Sequence, residues 1–427
     1  MAVLATFIFV ATFALIVSER VNRVVAVMIG VAAMAMVGIV NSETAFFSAH
    51  TGVDWEVIFL LFGMMIIVSV AKQTGLFEYL AIWAARQSGG RPVRLMVLLI
   101  LVTALVGAFL DSVTVLLLVA PVTFSVCQRL GLKPIPFILA EVFAANIGGT
   151  ATLIGDPPNI MIGTRAGLGF MDFLINLAPI TVVLLGVLIV LCRIMFRSVF
   201  VEDPVRAAAI MQLDPLDQIK DRRRAVYSIA VIGLVVVGFT LHTVLHVDPA
   251  IVAMLGAGLI IAVNRSTVAE FLEEVEWDTL VFFMGLFVLV GGLVHVGVID
   301  VIGKAAIDAV GDEYLLAAGG LMAGASTIGA IIDTIPFTAT MMPIVEGFVA
   351  TIPDEATGTA LWWALALGAD LGGNATAVGA SANVVAIGVA KREGHPISFW
   401  HFTKYGIIVT AVTVPIAFVY VWLRYFM

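Results

Sequence analysis

The sequence predicts an all-α polytopic membrane protein built from two inverted repeats, with about ten transmembrane helices, two re-entrant helical hairpins and two broken helices. Three observations predict it. Hydrophobic residues make up 61% of the 427 and charged residues only 12%, with a mean hydropathy of +1.12, far outside the range of soluble domains. Apolar stretches without charge recur near the spanning length of about 20 residues, among them Ala2 to Ser18, Val24 to Val40, Phe173 to Cys192 and Ile407 to Leu423. Finally, ANIGGTATLIGDPPN at 145–159 is matched by ADLGGNATAVGASAN at 369–383, with seven of fifteen positions identical.

Taken in chain order, the first span has no Lys or Arg before it and is followed by further spans, so it reads as a retained helix rather than a signal peptide. Val53-Asp-Trp-Glu56 opens the third span and recurs as Val275-Glu-Trp-Asp278, a shift of 222. At that shift Gly63, Gly75, Gly107, Asp111 and Pro121 fall on Gly285, Gly297, Gly329, Asp333 and Pro343. After a two-residue insertion, Gly148, Gly149, Thr152, Gly155 and Asn159 fall on Gly372, Gly373, Thr376, Gly379 and Asn383, a shift of 224. So many coincident helix breakers mark a duplication. Arg94 to Arg129 and Tyr314 to Pro353 are nearly twice a span in length, with Asp111 and Asp333 near their middles. Each predicts a hairpin that enters and returns on one side, its polar tip at mid-depth.

The polar stretch 199–224, with Glu202, Asp203, Pro204, Asp214, Asp217 and Asp221-Arg-Arg-Arg224, is the expected cytoplasmic linker between repeats 1–198 and 225–427. It is too short for an enzymatic domain, and no G-x-x-x-x-G-K-[ST] motif occurs. With both termini outside, nineteen of the 22 basic residues fall on inner segments, leaving Arg165, Lys304 and Arg424 outside, as the positive-inside bias expects. Each repeat then holds an odd number of crossings plus a hairpin, so the second is inverted relative to the first. Cys127 and Cys192 lack any CxxC context, and the six histidines lie near span edges, so neither a metal nor a cofactor is expected. The net charge of −8 says little about partners, and the bilayer is the partner that composition demands. No nucleic-acid partner is expected.

A helix interrupted inside a membrane exposes N–H and C=O groups that lipid cannot satisfy, at several kcal/mol each. Such breaks survive where they line a cavity. The two glycine-broken stretches therefore predict the facing walls of a midplane site, with Gly148, Gly149, Gly372 and Gly373 letting the backbone approach a small solute. Thr150, Thr152, Asn159, Asn374, Thr376 and Asn383 supply neutral donors and acceptors. Carboxylates at this depth are costly and default to function, which singles out Asp111, Asp156, Asp333 and Asp370. Asp111 and Asp333 can also cap the hairpin turns. Asp156 and Asp370 oppose Ala380 and Asn146 in the other repeat, and an asymmetric carboxylate beside a polar cavity suits a proton relay. Glu141 and Glu346 are expected nearer helix ends. Because no Lys or Arg occurs at 95–128, 134–164, 315–350 or 361–390, a multivalent anion would meet only helix dipoles and hydroxyls. A neutral hydroxylated solute or a small cation fits that site better.

The segments GMMIIVSVAKQTGLFEYLA, AFLDSVTVLLLVAPVT, AEVFAANIGGTATLIGDPPN, IIDTIPFTATMMP and LGGNATAVGASANVV resemble the ArsB/NhaD branch of the ion transporter superfamily. The resemblance is nearest to ArsB-type arsenite permeases and the related melanosomal P protein, and runs over essentially the whole chain. It implies a scaffold and a transport region in each repeat. It also implies hairpin tips at Asp111 to Thr114, including Ser112, and at Asp333 to Pro336, including Thr334. The unwound loops would be Asn146 to Asn159 and Asp370 to Asn383, the latter holding Ser381. Sodium-coupled relatives carry Ser-Asn-Thr at the tips, where this chain has Asp-Ser-Val-Thr and Asp-Thr-Ile-Pro, which favours protons. The function implied is proton-coupled efflux of arsenite or antimonite from the cell, across its plasma membrane, with a soluble ATPase as a partner that some relatives recruit. A sodium/proton antiporter or an anion transporter, such as one for carboxylates, is the alternative on the same fold.

Overall fold

The computed structural model describes residues 1–18, 20–48, 50–200, 211, 214–264, 272–273, 275–311 and 313–427. Much of the expected linker, including Glu202, Asp203 and Pro204, lies outside the described residues.

Among the described residues all regular structure is helical. The first set is α1 (Ala2–Val17), α2 (Arg23–Met36), α3 (Trp55–Gln73), α4 (Leu76–Gln87), α5 (Pro92–Gly107), α6 (Ser112–Leu130), α7 (Ile135–Gly149), α8 (Pro157–Ala166) and α9 (Phe170–Met195). The second is α10 (Arg222–Leu245), α11 (Pro249–Asn264), α12 (Trp277–His295) and α13 (Val298–Val310), then α14 (Tyr314–Ile332, continuous through a π turn at Ala325–Gly329). It ends with α15 (Thr334–Val349), α16 (Glu355–Gly372), α17 (Ser381–Arg392) and α18 (Phe399–Tyr425). The starts of α3, α4, α5 and α6 recur in α12, α13, α14 and α15 at a shift of 222, and that of α8 recurs in α17 at 224. Breakers set these boundaries. Gly75 and Gly297 hold positive φ ahead of α4 and α13, Pro92 and Pro157 open α5 and α8, and Pro121 and Pro343 lie inside α6 and α15.

Among the described residues seven helices are long and apolar enough to cross a membrane, and six further apolar helices are shorter. Their outer faces carry exposed Phe7, Leu105, Val182, Leu234, Val244 and Leu255, an apolar surface that water would disfavour and lipid accepts. The helices interlock across the repeats. α3 packs on α11 and α2 on α12, while the hairpin arm α6 packs on α17 and α15 on α8. Each repeat's hairpin thus leans on the far half of the other repeat's broken helix, bringing both tips and both breaks to one place.

Candidate functional site

Both hairpin tips are helix caps. Asp111 Oδ1 accepts from the Thr114 N–H at 2.9 Å, and Thr114 Oγ1 donates to Asp111 Oδ2 at 2.7 Å. Asp333 Oδ1 accepts from the Ile335 N–H at 3.2 Å, supplying one of the bonds the first turn of α15 lacks. Asp333 has φ 85° and ψ 138°, one of two non-glycine residues with positive φ among those described. Such a conformation costs about 1–3 kcal/mol and gathers at functional sites. The Thr334 N–H donates to the Gly379 carbonyl at 3.3 Å, pinning this tip to the second loop.

The breaks are shorter than the sequence implies. α7 stays helical through Gly149 and α16 through Gly372, so Asn146, Gly148 and Asp370 sit in final helical turns and only 150–156 and 373–380 are unwound. Gly148 and Gly372 face neighbouring helices, not an open space. A Cβ on Gly148 would overlap the Ala104 backbone, and one on Gly372 would overlap the backbone of Ala325 and Ser326. Gly149 lies against Gly155, and Gly373 opposite Ala380. The freed carbonyls find partners within each repeat. Asn159 Nδ2 donates to the carbonyls of Gly149 (3.3 Å) and Thr152 (3.1 Å), and Asn383 Nδ2 to those of Gly373 and Thr376 (both 2.7 Å). Thr152 Oγ1 donates to the Ala108 carbonyl, and Thr376 Oγ1 to that of Ala330. The two loops then meet: Asn146 Nδ2 donates to Asn374 Oδ1 at 2.9 Å and to Asn383 Oδ1 at 3.2 Å. Asp370 lies on the other side of this contact, beside Thr150 and Asn159.

Two adjoining cavities open in front of the loops. An enclosed chamber of about 50 Å³ takes its polar lining from Asp111, Ser112, Asp156, Asp333, Thr334 and Ser381, together with Glu276 and Thr279, and its apolar wall from α3. It shares Glu276, Thr279, Asp333 and Ser381 with an open vestibule of about 1000 Å³, which parts α12 from α17. At the pseudo-equivalent place on the other side, α3 packs against α8.

The vestibule overturns one expectation. A basic residue does reach the site: Arg23, at the start of α2, lines the vestibule. Its guanidinium donates to Ser381 Oγ at 2.8 Å and Thr279 Oγ1 at 3.4 Å, lies 4.0 Å from Asp333 Oδ2 and covers the Phe282 ring at 5.2 Å. Windows free of Lys and Arg around the broken helices did not exclude it, because it arrives from a stretch hundreds of residues away. Glu276, which accepts from Thr279 Oγ1 at 3.0 Å, was also missed, although it stands in the repeated Trp motif. Nor does Glu141 sit at a helix end. It is fully buried mid-way along α7, where Oε1 accepts from Thr123 Oγ1 at 2.5 Å. Glu346 instead holds Arg165, at 2.9 and 2.6 Å, near the surface.

The sequence signature of the citrate transporter (CitMHS) family matches residues 13–368. The chain belongs to the CitMHS family. This CitMHS transporter is 51% identical over 425 residues to a 46 kDa membrane protein of Mycobacterium leprae, covering 100% of this chain and 99% of the relative. It is 50% identical over 426 residues to an uncharacterized transporter of Mycobacterium tuberculosis, with the same coverage. The P protein of Homo sapiens is 33% identical over 495 residues, spanning 98% of this chain and 59% of that protein. Among solved structures, the Alcanivorax borkumensis YdaH transporter, described as having an unusual topology, superposes with a TM-score of 0.57 at 15% identity. It covers 86% of this chain and 84% of its own, and shows the shared fold. The resemblance read from the motifs therefore stands at the level of the superfamily and the P protein, and the family is the citrate transporters.

Proposed function

We propose that this CitMHS transporter moves a small carboxylate anion of the citrate class in company with protons, by alternating access between its two inverted repeats, 1–198 and 225–427. The observation that carries the reading is Arg23. A guanidinium is the side chain best shaped for a carboxylate, and here it is held at the vestibule by two hydroxyls and an aromatic face. The N-terminus of α17, at Ser381, adds backbone donors and partial positive charge. Opposing them are the carboxylates of Asp111, Asp156, Asp333 and Glu276. An anion enters among four carboxylates only if positive charge comes with it, which supports coupling to cations. Protons are the coupling species proposed.

The vestibule is lined by Ser18, Val21 and Arg23 between α1 and α2 and by Phe399 at the start of α18, connections that the positive-inside bias puts at the cytoplasmic face. Both termini then lie outside. A second reading, arsenite or antimonite efflux, is favoured by the enclosed chamber. It lacks a basic lining residue, and its hydroxyls, carboxyls and small volume suit a neutral trihydroxide.

Uptake of labelled citrate into proteoliposomes, with and without an imposed pH gradient, tests the proposal. Gradient-dependent citrate movement, weakened in Arg23→Gln, is expected. Gradient-dependent arsenite movement without citrate transport would put the second reading first, and flux driven only by sodium would remove the protons.

A further inference from the structure

The ends of α7 and α16 meet, and their hydrogen bonds follow the internal two-fold relation at Asn159 and Asn383 but not at the residues those two face. In the second repeat Asn383 Nδ2 is committed to two carbonyls, so its Oδ1 is an acceptor, and Asn146 Nδ2 fills it. The shift of 224 exchanges Asn383 for Asn159, Asn374 for Thr150 and Asn146 for Asp370. Asn159 repeats its counterpart. Its Nδ2 is spent on the carbonyls of Gly149 and Thr152, and its buried Oδ1 has no donor. Thr150 Oγ1 spends its hydrogen on the Asn146 carbonyl at 3.1 Å, leaving only lone pairs. Asp370 sits against these two groups, 2% exposed, and with their hydrogens directed at carbonyls neither of its oxygens receives one.

An ionised carboxylate is acceptor-only. Ionised, Asp370 would place acceptors against acceptors in a dry site, each paying its desolvation with nothing returned. One proton on Asp370 turns an oxygen into a donor and recreates the bond that Asn146 makes in the other repeat. We propose that Asp370 is the site of the coupled proton, which it donates as a hydrogen bond to Asn159 Oδ1 while the two loops are in contact. This rests on the reading of the protein as a proton-coupled transporter and names the residue that carries the ion. The step is acid–base only: the carboxylate takes a proton originating in bulk water and returns it to water when the loops part. Neither cavity is lined by Asp370, Thr150 or Asn159, which suits an ion that needs no volume. The ionisable group within electrostatic reach is Asp156, which lines the chamber and so stands between it and Asp370. Charged groups on the packed helices bond elsewhere. Glu141 of α7 accepts from Thr123, Arg165 of α8 pairs with Glu346 of α15, and Arg424 of α18 donates to Asn176.

Infrared difference spectroscopy of the purified full-length protein, with the pH stepped from neutral to alkaline, reads the proton directly. A carboxylic-acid carbonyl component is expected in the wild type at neutral pH, insensitive to added NaCl and lost in Asp370→Asn, while buried carboxyls such as Glu141 keep their own. Because asparagine supplies the same donor, this variant is expected to fold, and its melting temperature is expected to fall less on going alkaline than that of the wild type. A band that persists unchanged in Asp370→Asn would overturn the proposal. So would a wild-type melting temperature that rises with NaCl in an Asp370-dependent way, which would assign the site to sodium. The spectrum does not depend on which solute is carried, so failure of citrate transport with a positive spectrum would fault the substrate reading alone.

Discussion

Set side by side, the two repeats agree at the residues that cap and pack their helices and differ at residues around the vestibule and the loop contact. Pairs such as Asn159 and Asn383, Thr152 and Thr376, Gly148 and Gly372, or Asp111 and Asp333 do the same work twice: closing carbonyls, packing helices, capping tips. The differences concentrate around the cavities. Arg23 opens α2 where Pro249 opens α11, and Asp156 corresponds to Ala380 and Asp370 to Asn146. One side is closed by α3 on α8, while on the other the vestibule parts α12 from α17. Duplication thus supplied a symmetric frame, and the transport chemistry proposed above draws on departures from symmetry.

The largest effect expected tests the symmetric part. Gly148→Val and Gly372→Val each force a side chain into neighbouring backbone that has no rotamer to move, so each is expected to cost about 3 kcal/mol or more. Thermal unfolding in detergent should show both collapsing together; tolerance of either would break the equivalence.

An asymmetric pair comes next. Arg23→Gln is expected to weaken citrate binding about tenfold to a hundredfold, the worth of a hydrogen bond to a charged group, whereas Pro249→Gln at the matching helix start should change it less than about twofold. Citrate titration by calorimetry reads both.

Much of the symmetric frame was legible in the sequence, because glycine, proline and aspartate mark helix ends whatever surrounds them. Trp55 and Trp277, Pro157 and Ser381, Asp111 and Asp333 mark or flank the helix starts that the repeat spacing implies. What stayed hidden depends on contacts across the chain. A single Arg before an apolar helix looks the same whether it flanks a membrane or reaches a site 358 residues away, as Arg23 does with Ser381. Gly148-Gly149 reads as a break, yet α7 runs through both, and these glycines serve close packing, Gly148 on Ala104 and Gly149 on Gly155. The acceptor surplus at Asp370 became visible only once the amides of Asn159 and Asn383 were both assigned.

Smaller effects sharpen the comparison further. Asn159→Ala and Asn383→Ala each strand two carbonyls, at about 1–3 kcal/mol. Each also removes an acceptor, Asn383 from Asn146 and Asn159 from the proton proposed on Asp370, so the two are expected to cost alike; chemical denaturation compares them. Arg165→Met removes a pair whose members are 22% and 47% exposed, for about 0.5 kcal/mol after solvent screening.

The smallest effect concerns the helix caps. Asp354 caps α16 by accepting from Thr357 N and Oγ1 at 2.9 and 2.6 Å, whereas Pro134 gives α7 no side-chain cap. Those bonds hold the Asp354 carboxyl below its usual range. Its contribution is present above the ordinary carboxylate range and is lost as pH falls through the lowered value. Asp354→Ala should therefore lower the melting temperature at neutral pH and leave it unchanged in strong acid.

The central claim, that the repeats face opposite ways and expose the site to one side at a time, is tested most directly at Val384 and its counterpart Ile160. Val384 lines the vestibule and is 49% exposed, while Ile160 is 2% exposed. The native cysteines, Cys127 and Cys192, are both buried and leave little background. A membrane-impermeant thiol reagent should modify Val384→Cys from the cytoplasmic face and leave Ile160→Cys untouched. Imposing the driving gradient should protect the first and expose the second from the opposite face. Equal labelling of both from the same face would contradict the account.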